Sequence, residues 1–391
     1  MRFPEFTEEW EKFALSDFTE RVTRRNKGNT CKLPLTISAQ YGLVDQITFF
    51  NKQIASTDMS NYYLLKKGEF AYNKSYSSDY PWGAVKRLDR YNEGCLSSLY
   101  ICFSLKPSVH SDYITHYFET AKWYQGISEI AGEGARNHGL LNIAILDYFD
   151  TKHYLPIKPQ EQEKIATLFN LLTERIETQN KIIQHLESLI KGIVVTHFNQ
   201  CRNKQVITIS DLGTAYSVGN LPKEDLSEDG EPCILYGELF TTYGCVAHNI
   251  ISRTNKYEQA TLSQINDLLF PASTTVDAVS LIAPTSIQTH GVYVAGDMFG
   301  IHIQPQYDSQ YISYLLNFVY NKELAKYAQG STIIHLHYSD IKRARILVPL
   351  LDEQKKCNQL LATLQKKLAA ESLVLQMYQS QKQYLLQQMF I

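Results

Sequence analysis

Apolar residues recur at alternating steps of four and three along two stretches of this chain. The first stripe runs through Ile165, Phe169, Leu172, Ile176, Gln179, Ile183, Leu186, Ile190, Ile193 and His197. The second lies 192 residues further on, through Cys357, Leu361, Leu364, Leu368, Glu371, Leu375, Tyr378, Lys382, Leu385 and Met389. A period of 3.5 keeps one stripe facing a partner helix while the pair supercoils, so both stretches are predicted as long coiled-coil helices. From Glu161 to Phe198 there is no proline and one glycine, Gly192. Each stripe carries a polar residue at its middle, Gln179 and Glu371. If the helices pair antiparallel about a pseudo-two-fold axis, these two residues should fall in or near one layer, where a polar pair fixes register at some cost in stability.

The helical stretches are the ends of a longer repeat, which is the first thing to test for in a chain of this length. Ala14-Leu15-Ser16-Asp17-Phe18 returns as Thr208-Ile209-Ser210-Asp211-Leu212, and Glu69 to Ser75 returns in pattern as Asp267 to Ser273. Pro156 followed by Glu161-Gln162 returns as Pro349 followed by Glu353-Gln354, with one residue fewer between proline and glutamate. Short runs such as Leu99 to Leu105, Leu268 to Pro271, Gly291 to Ala295, Gly300 to Gln304 and Arg345 to Val348 read as strands. Ser111 to Ile127 and Ser309 to Gln329 read as amphipathic helices. The predicted fold is α+β: two similar globular domains, residues 1–155 and 201–348, each followed by a long helix, 156–200 and 349–391, the helices pairing as an antiparallel coiled coil.

Composition narrows the chemistry. With 391 residues, 44% hydrophobic and 20% charged, the chain can bury two cores. A net charge of −2 excludes a protein that coats polyanions by bulk attraction. The 26 tyrosines suit wet interfaces, although strand propensity accounts for part of them. Seven cysteines without a C-x-x-C pair read as free thiols of a reducing cytosol. No stretch approaches a membrane span, and a cytoplasmic location is expected.

Catalytic signatures are absent. There is no Pro-Pro dipeptide of the kind an amino-methyltransferase loop needs, and no phosphate-binding glycine loop. Gly132-Glu133-Gly134 is a lone G-x-G, and Asp352-Glu353-Gln354-Lys355 opens the second long helix, where acidic residues favour the dipole. His335 and His337 lack a third ligand, so no metal site is expected.

Groups suited to phosphates and base edges gather in loops. In the first copy they are Arg24, Arg25 and Lys27, then Lys74, Tyr76, Tyr80, Trp82, Lys86 and Arg87, then Arg136, Asn137 and His138. The second copy offers Lys223, Tyr243, Arg253, Ser273, Thr274, Thr275, Ser331, Thr332, His335 and His337. Divergent loops on a shared scaffold predict two different readers and an asymmetric, two-part DNA target. A helix of about 38 residues spans about 57 Å, or about 17 base pairs.

The ordered doubling resembles the specificity subunit of type I restriction-modification systems. The resemblance rests on Trp10, Leu15 and Asp17 in the opening segment, Lys67-Gly68-Glu69, Gly330-Ser331-Thr332, and the Pro then Glu-Gln start of both long helices. It implies two target-recognition domains reading the halves of a split site, with the paired helices setting the gap. It implies double-stranded DNA, two modification subunits and restriction subunits as partners. It also implies no catalysis by this chain, with S-adenosylmethionine, ATP and Mg handled by those partners. The contrasting expectation is a coiled-coil scaffold whose globular domains bind other proteins.

Overall fold

The computed structural model describes every residue except 39, 78, 79, 132–135, 138 and 139, and describes only the backbone of 136 and 137. The chain divides into two compact units, residues 1–180 with 374–391, and residues 181–373.

The first unit opens with β1 (Glu11–Ala14) and closes with β6 (Lys152–Leu155), which pairs antiparallel with it. Between them, β2 (Thr19–Arg21), β3 (Phe70–Asn73), β4 (Ala84–Arg87) and β5 (Ile101–Leu105) form an antiparallel sheet in the order β2-β5-β3-β4. Phe70 and Phe103 stack across its centre at 5.5 Å. Helix α1 (Ser111–Tyr117) supplies Tyr113, Ile114 and Tyr117 to the core beneath. A smaller hairpin, Leu35–Ser38 with Gly42–Asp45, and an antiparallel pair, Tyr63–Lys66 with Glu93–Leu96, carry a second cluster around Leu65 and Leu96.

The same skeleton recurs in the second unit. Here β7 (Lys204–Thr208) pairs with the closing strand β12 (Arg345–Pro349). Strands β8 (Gly213–Ser217), β9 (Asp267–Pro271), β10 (Thr285–Ile287) and β11 (Met298–Ile303) lie in the order β8-β11-β9-β10, with Val246–Ala247 added in parallel at the edge. Helix α3 (Ser309–Phe318) stands where α1 does. The turn after each opening strand is tied alike: the amide of Ala14 donates to Asp17, and that of Thr208 to Asp211, both at 2.7 Å.

Helix α2 (Pro159–Gln200) and helix α4 (Leu351–Met389) are the long helices, and each contributes one half to each unit. In the first unit Phe169 packs on Phe390 at 5.7 Å, Lys382 donates to Thr173 at 3.0 Å and Arg175 to Tyr378 at 3.1 Å. In the second, Glu187 to Lys191 share a groove with Leu368 to Ser372, while His197 and Cys201 face Glu353. As one number rises the other falls, so the segments run antiparallel within each unit. Every residue of both stripes is buried or half-buried, including Gln179 and Glu371, whose carboxylate lies 3.6 Å from Lys367.

Three expectations need correction. Ser111–Ile127 is two helices: beyond Tyr117 the Thr120 hydroxyl and the Trp123 indole take the carbonyls of Tyr117 and Phe118 at 2.7 and 3.0 Å, which turns the chain before Tyr124–Ile130. Ser309–Gln329 likewise stops at Phe318, where the amides of Val319 and Tyr320 crowd onto one carbonyl, that of Leu315. The strand expected from Leu99 starts at Ile101, because Tyr100 donates back to the carbonyl of Ser97 in a turn.

Candidate nucleic-acid interface

The Pro then Glu-Gln motif fixes each long helix to its sheet. Gln162 accepts from the amide of His110, which caps α1, at 2.8 Å and donates to the carbonyl of Pro156 at 2.8 Å. Gln354 accepts from the amide of Asp308, which caps α3, at 2.8 Å and donates to the carbonyl of Pro349 at 2.7 Å. The one-residue difference in spacing is absorbed before the helices begin. Both glutamines are buried, and their bonds satisfy backbone groups that would otherwise be stranded at the strand-to-helix joint.

Above this joint each unit presents the same pair of loops. In the first, the chain leaving β3 runs through Lys74 and Ser75, and the amide of Leu141 donates to the carbonyl of Lys74 at 2.9 Å. Ser75 bridges to Leu140, and residues 136–137 pair with Leu140–Leu141. In the second, the chain leaving β9 runs through Ala272 to Thr274, and the amide of Leu336 donates to the carbonyl of Ala272 at 2.8 Å. Ser273 pairs with His335 and Thr274 with Ile334. Gly330, at φ 111°, makes the turn that carries Ser331 and Thr332, where an added Cβ would stand 2.1 Å from the carbonyl oxygen of Ile333.

Seven of the residues expected at a DNA interface in the second unit therefore converge. Thr275, Ser331, Thr332, His335 and His337 are exposed, Thr274 is half-buried and Ser273 is buried, with the His335 and His337 rings stacked at 6.2 Å. Arg253 is exposed on a different sheet and donates to the carbonyl of Gly230 at 2.9 Å, and Lys223 is exposed in the 3-10 turn Lys223–Asp225 that leads into that sheet. The Tyr243 hydroxyl accepts from the amide of Ile251 at 3.0 Å, and burial raises its pKa.

In the first unit the basic residues separate into two kinds. Arg25 and Lys27 are exposed: the Arg25 guanidinium lies 4.1 Å over the Tyr63 ring and donates to the carbonyl of Asn61 at 2.6 Å, and Lys27 enters a tight turn at Gly28. Arg24, Lys86 and Arg87 are engaged internally, with Glu69 at 2.6 Å, Glu119 at 3.6 Å, and Asp89 and Asp112 at 2.7 and 2.6 Å. A phosphate would have to compete with those carboxylates. Lys74 is half-buried, and Tyr76 and Trp82 pack against the core. His138 and the side chains of Arg136 and Asn137 lie outside the described residues. Sequence reasoning missed the four acidic partners, since they stand 2 to 45 positions from their bases with no local pattern.

Residues 202–374 match the family model described as "Type I restriction modification DNA specificity domain". The fold is similar over 100% of this chain to the S subunit of a type I restriction-modification system from M. genitalium, covering 99% of it, at 15% identity and a TM-score of 0.55. It is also similar to a chain of a type I R-M system solved for its complex assembly and conformational transition, over 97% of each chain, at 13% identity and a TM-score of 0.51. Both are likenesses of fold. No curated protein matches the sequence.

Proposed function

We infer that the whole chain is the DNA sequence-specificity subunit of a type I restriction-modification system, since residues 202–374 match the family model of that system's DNA specificity domain. One observation carries the step from the matched segment to the rest. The first unit repeats the second in strand order, in the glutamine joint and in the paired loops above it. A scaffold kept in duplicate while its loop side chains differ suits two readers of two different sequences.

In this reading residues 1–155 and 201–348 are the target-recognition domains, and 156–200 with 349–391 form the spacer. The second unit reads through Thr274, Thr275, Ser331, Thr332, His335 and His337, with the buried Ser273 beneath them, aided by Lys223, Tyr243 and Arg253. The first reads through Lys74 and the facing segment 136–138, with Tyr76, Tyr80 and Trp82 shaping the loop and Arg25 and Lys27 on phosphates. Arg24, Lys86 and Arg87 hold that surface in place. The chain itself does no chemistry. Two modification subunits bring S-adenosylmethionine and methylate adenine, and restriction subunits bring the ATP- and Mg-dependent steps. Among the described residues no helix is long and apolar enough to cross a membrane.

The test is selection of bound duplexes from a random pool by the chain with its modification subunits. The expected result is one two-part motif with a constant gap. A pool that emerges unenriched, with the complex intact, overturns the proposal in favour of a scaffold that binds proteins.

A further inference from the structure

Where α2 ends and α4 begins, the second unit brings together three side chains of metal-ligating chemistry. His197 and Cys201 are one helical turn apart at the end of α2, and Glu353 reaches them from the first turn of α4. The Glu353 carboxylate oxygen Oε2 is 3.7 Å from His197 Nε2 and 3.8 Å from Cys201 Sγ, which is 4.0 Å from the same His197 nitrogen. Among the described residues no other such group has its ligand atoms within 4.8 Å of one another. These separations are too long for strong hydrogen bonds. They come near those of a tetrahedral zinc site, in which bonds of about 2.3 Å to sulfur and 2.0 Å to nitrogen or oxygen hold ligand atoms about 3.3–3.6 Å apart.

The corresponding place in the first unit shows what this position demands. Glu161, the counterpart of Glu353, is 1% exposed and receives the Arg2 guanidinium at 2.6 and 2.8 Å and the Trp10 indole at 3.1 Å. A cation and a second donor thus sit on that carboxylate. In the second unit Lys356 reaches only the outward oxygen Oε1, at 2.6 Å, and the inward oxygen faces a sulfur and an imidazole nitrogen. We propose that His197, Cys201 and Glu353 bind a zinc ion that joins the end of the first long helix to the start of the second within this unit.

The donor set, one thiolate, one imidazole and one carboxylate, is the mixture zinc accepts, with a water as fourth ligand. Burial pushes the His197 pKa down, which favours the neutral imidazole that a metal binds. Burial and Glu353 raise the Cys201 thiol, so binding replaces S–H by S–Zn and releases one proton to solvent. The proposal is independent of DNA recognition.

Untagged full-length chain is titrated with zinc against a chromophoric chelator, then with cobalt. One equivalent should bind, and the cobalt form should show the near-ultraviolet charge-transfer absorption of a thiolate ligand. Cys201→Ser should remove that absorption and weaken zinc at least tenfold, whereas Cys245→Ser should change neither. Glu353→Gln, altering an accessible side chain, should also weaken zinc at least tenfold and stands in if Cys201→Ser loses its helical circular dichroism. No zinc bound by the wild-type chain, or unchanged affinity in a folded Cys201→Ser or Glu353→Gln, overturns the assignment.

Discussion

At the start of its long helix each unit places a glutamate beside a glutamine, and only the glutamine is used the same way twice. Gln162 and Gln354 each bridge a proline carbonyl and the amide that caps the next helix. Glu161 is buried under Arg2 and Trp10, whereas Glu353 faces His197, Cys201 and Lys356. The contrast teaches which contacts survive duplication. A side chain that bonds to backbone meets a partner every sequence supplies. One that bonds to another side chain depends on a second residue that can drift.

The strongest way to break the comparison is at the glutamates. Arg2→Ala strips the cation from a buried carboxylate and should cost about 3 kcal/mol, the low end for a broken buried pair because Arg2 itself is 28% exposed. Lys356→Ala, on an exposed pair, should leave urea unfolding unchanged. Equal losses would show that the two positions are balanced alike after all.

Acid should separate the units next. His153 in β6 bonds to the Tyr117 hydroxyl at 2.9 Å, and burial pushes its pKa down to about 4. The matching position of β12, opposite Ile207 as His153 is opposite Phe13, holds Ile346. The unfolded chain binds this proton at about pH 6.5 and the folded chain only near 4, so the unfolded state carries more protons in between. Stability from this group is whole above pH 6.5 and is lost as pH falls toward 4, by roughly 3 kcal/mol. Hydrogen exchange across that range should loosen the first unit before the second, and His153→Gln should flatten the difference. Loosening of both units together would remove His153 as its cause.

A smaller effect should fall equally on both units. Gln162→Ala and Gln354→Ala each leave a buried carbonyl and amide without partners and should each cost about 1–3 kcal/mol by denaturant titration. A large gap between the two values would mean the joints only look alike. Smallest of all, Arg25→Ala and Lys223→Ala should each reduce the salt dependence of DNA binding by about one phosphate contact without changing the selected motif. A changed motif in either would make that residue a base reader.

The periodic features were legible in the sequence because period is a local property. The stripes from Ile165 to His197 and from Cys357 to Met389 face inward throughout, and the offset of 192 between Gln162 and Gln354 holds to the atom that bonds. What was not legible depends on distant partners. Arg24 and Arg87 read as free charges until Glu69 and Asp112 arrive through the fold. Tyr72, Tyr113, Tyr117, Tyr148 and Tyr311, part of an abundance suggestive of wet interfaces, are almost fully buried. Thr120 and Trp123 ended a helix whose apolar period ran on, because hydrogen bonds to carbonyls override periodicity where a large ring has a better place to pack. The His197-x-x-x-Cys201 spacing means little until Glu353, 152 positions away, comes alongside.

The glutamine joint has one more consequence. Each glutamine holds two strangers in sequence, the end of the last strand and the first turn of a helix that packs under the sheet, so tilting either against the long helix would break its bond to the glutamine. The joint ties both to one point on the long helix. Its partners are main-chain atoms, so recombination could exchange everything between β1 and β6, or between β7 and β12, and the newcomer would still be gripped at the same angle.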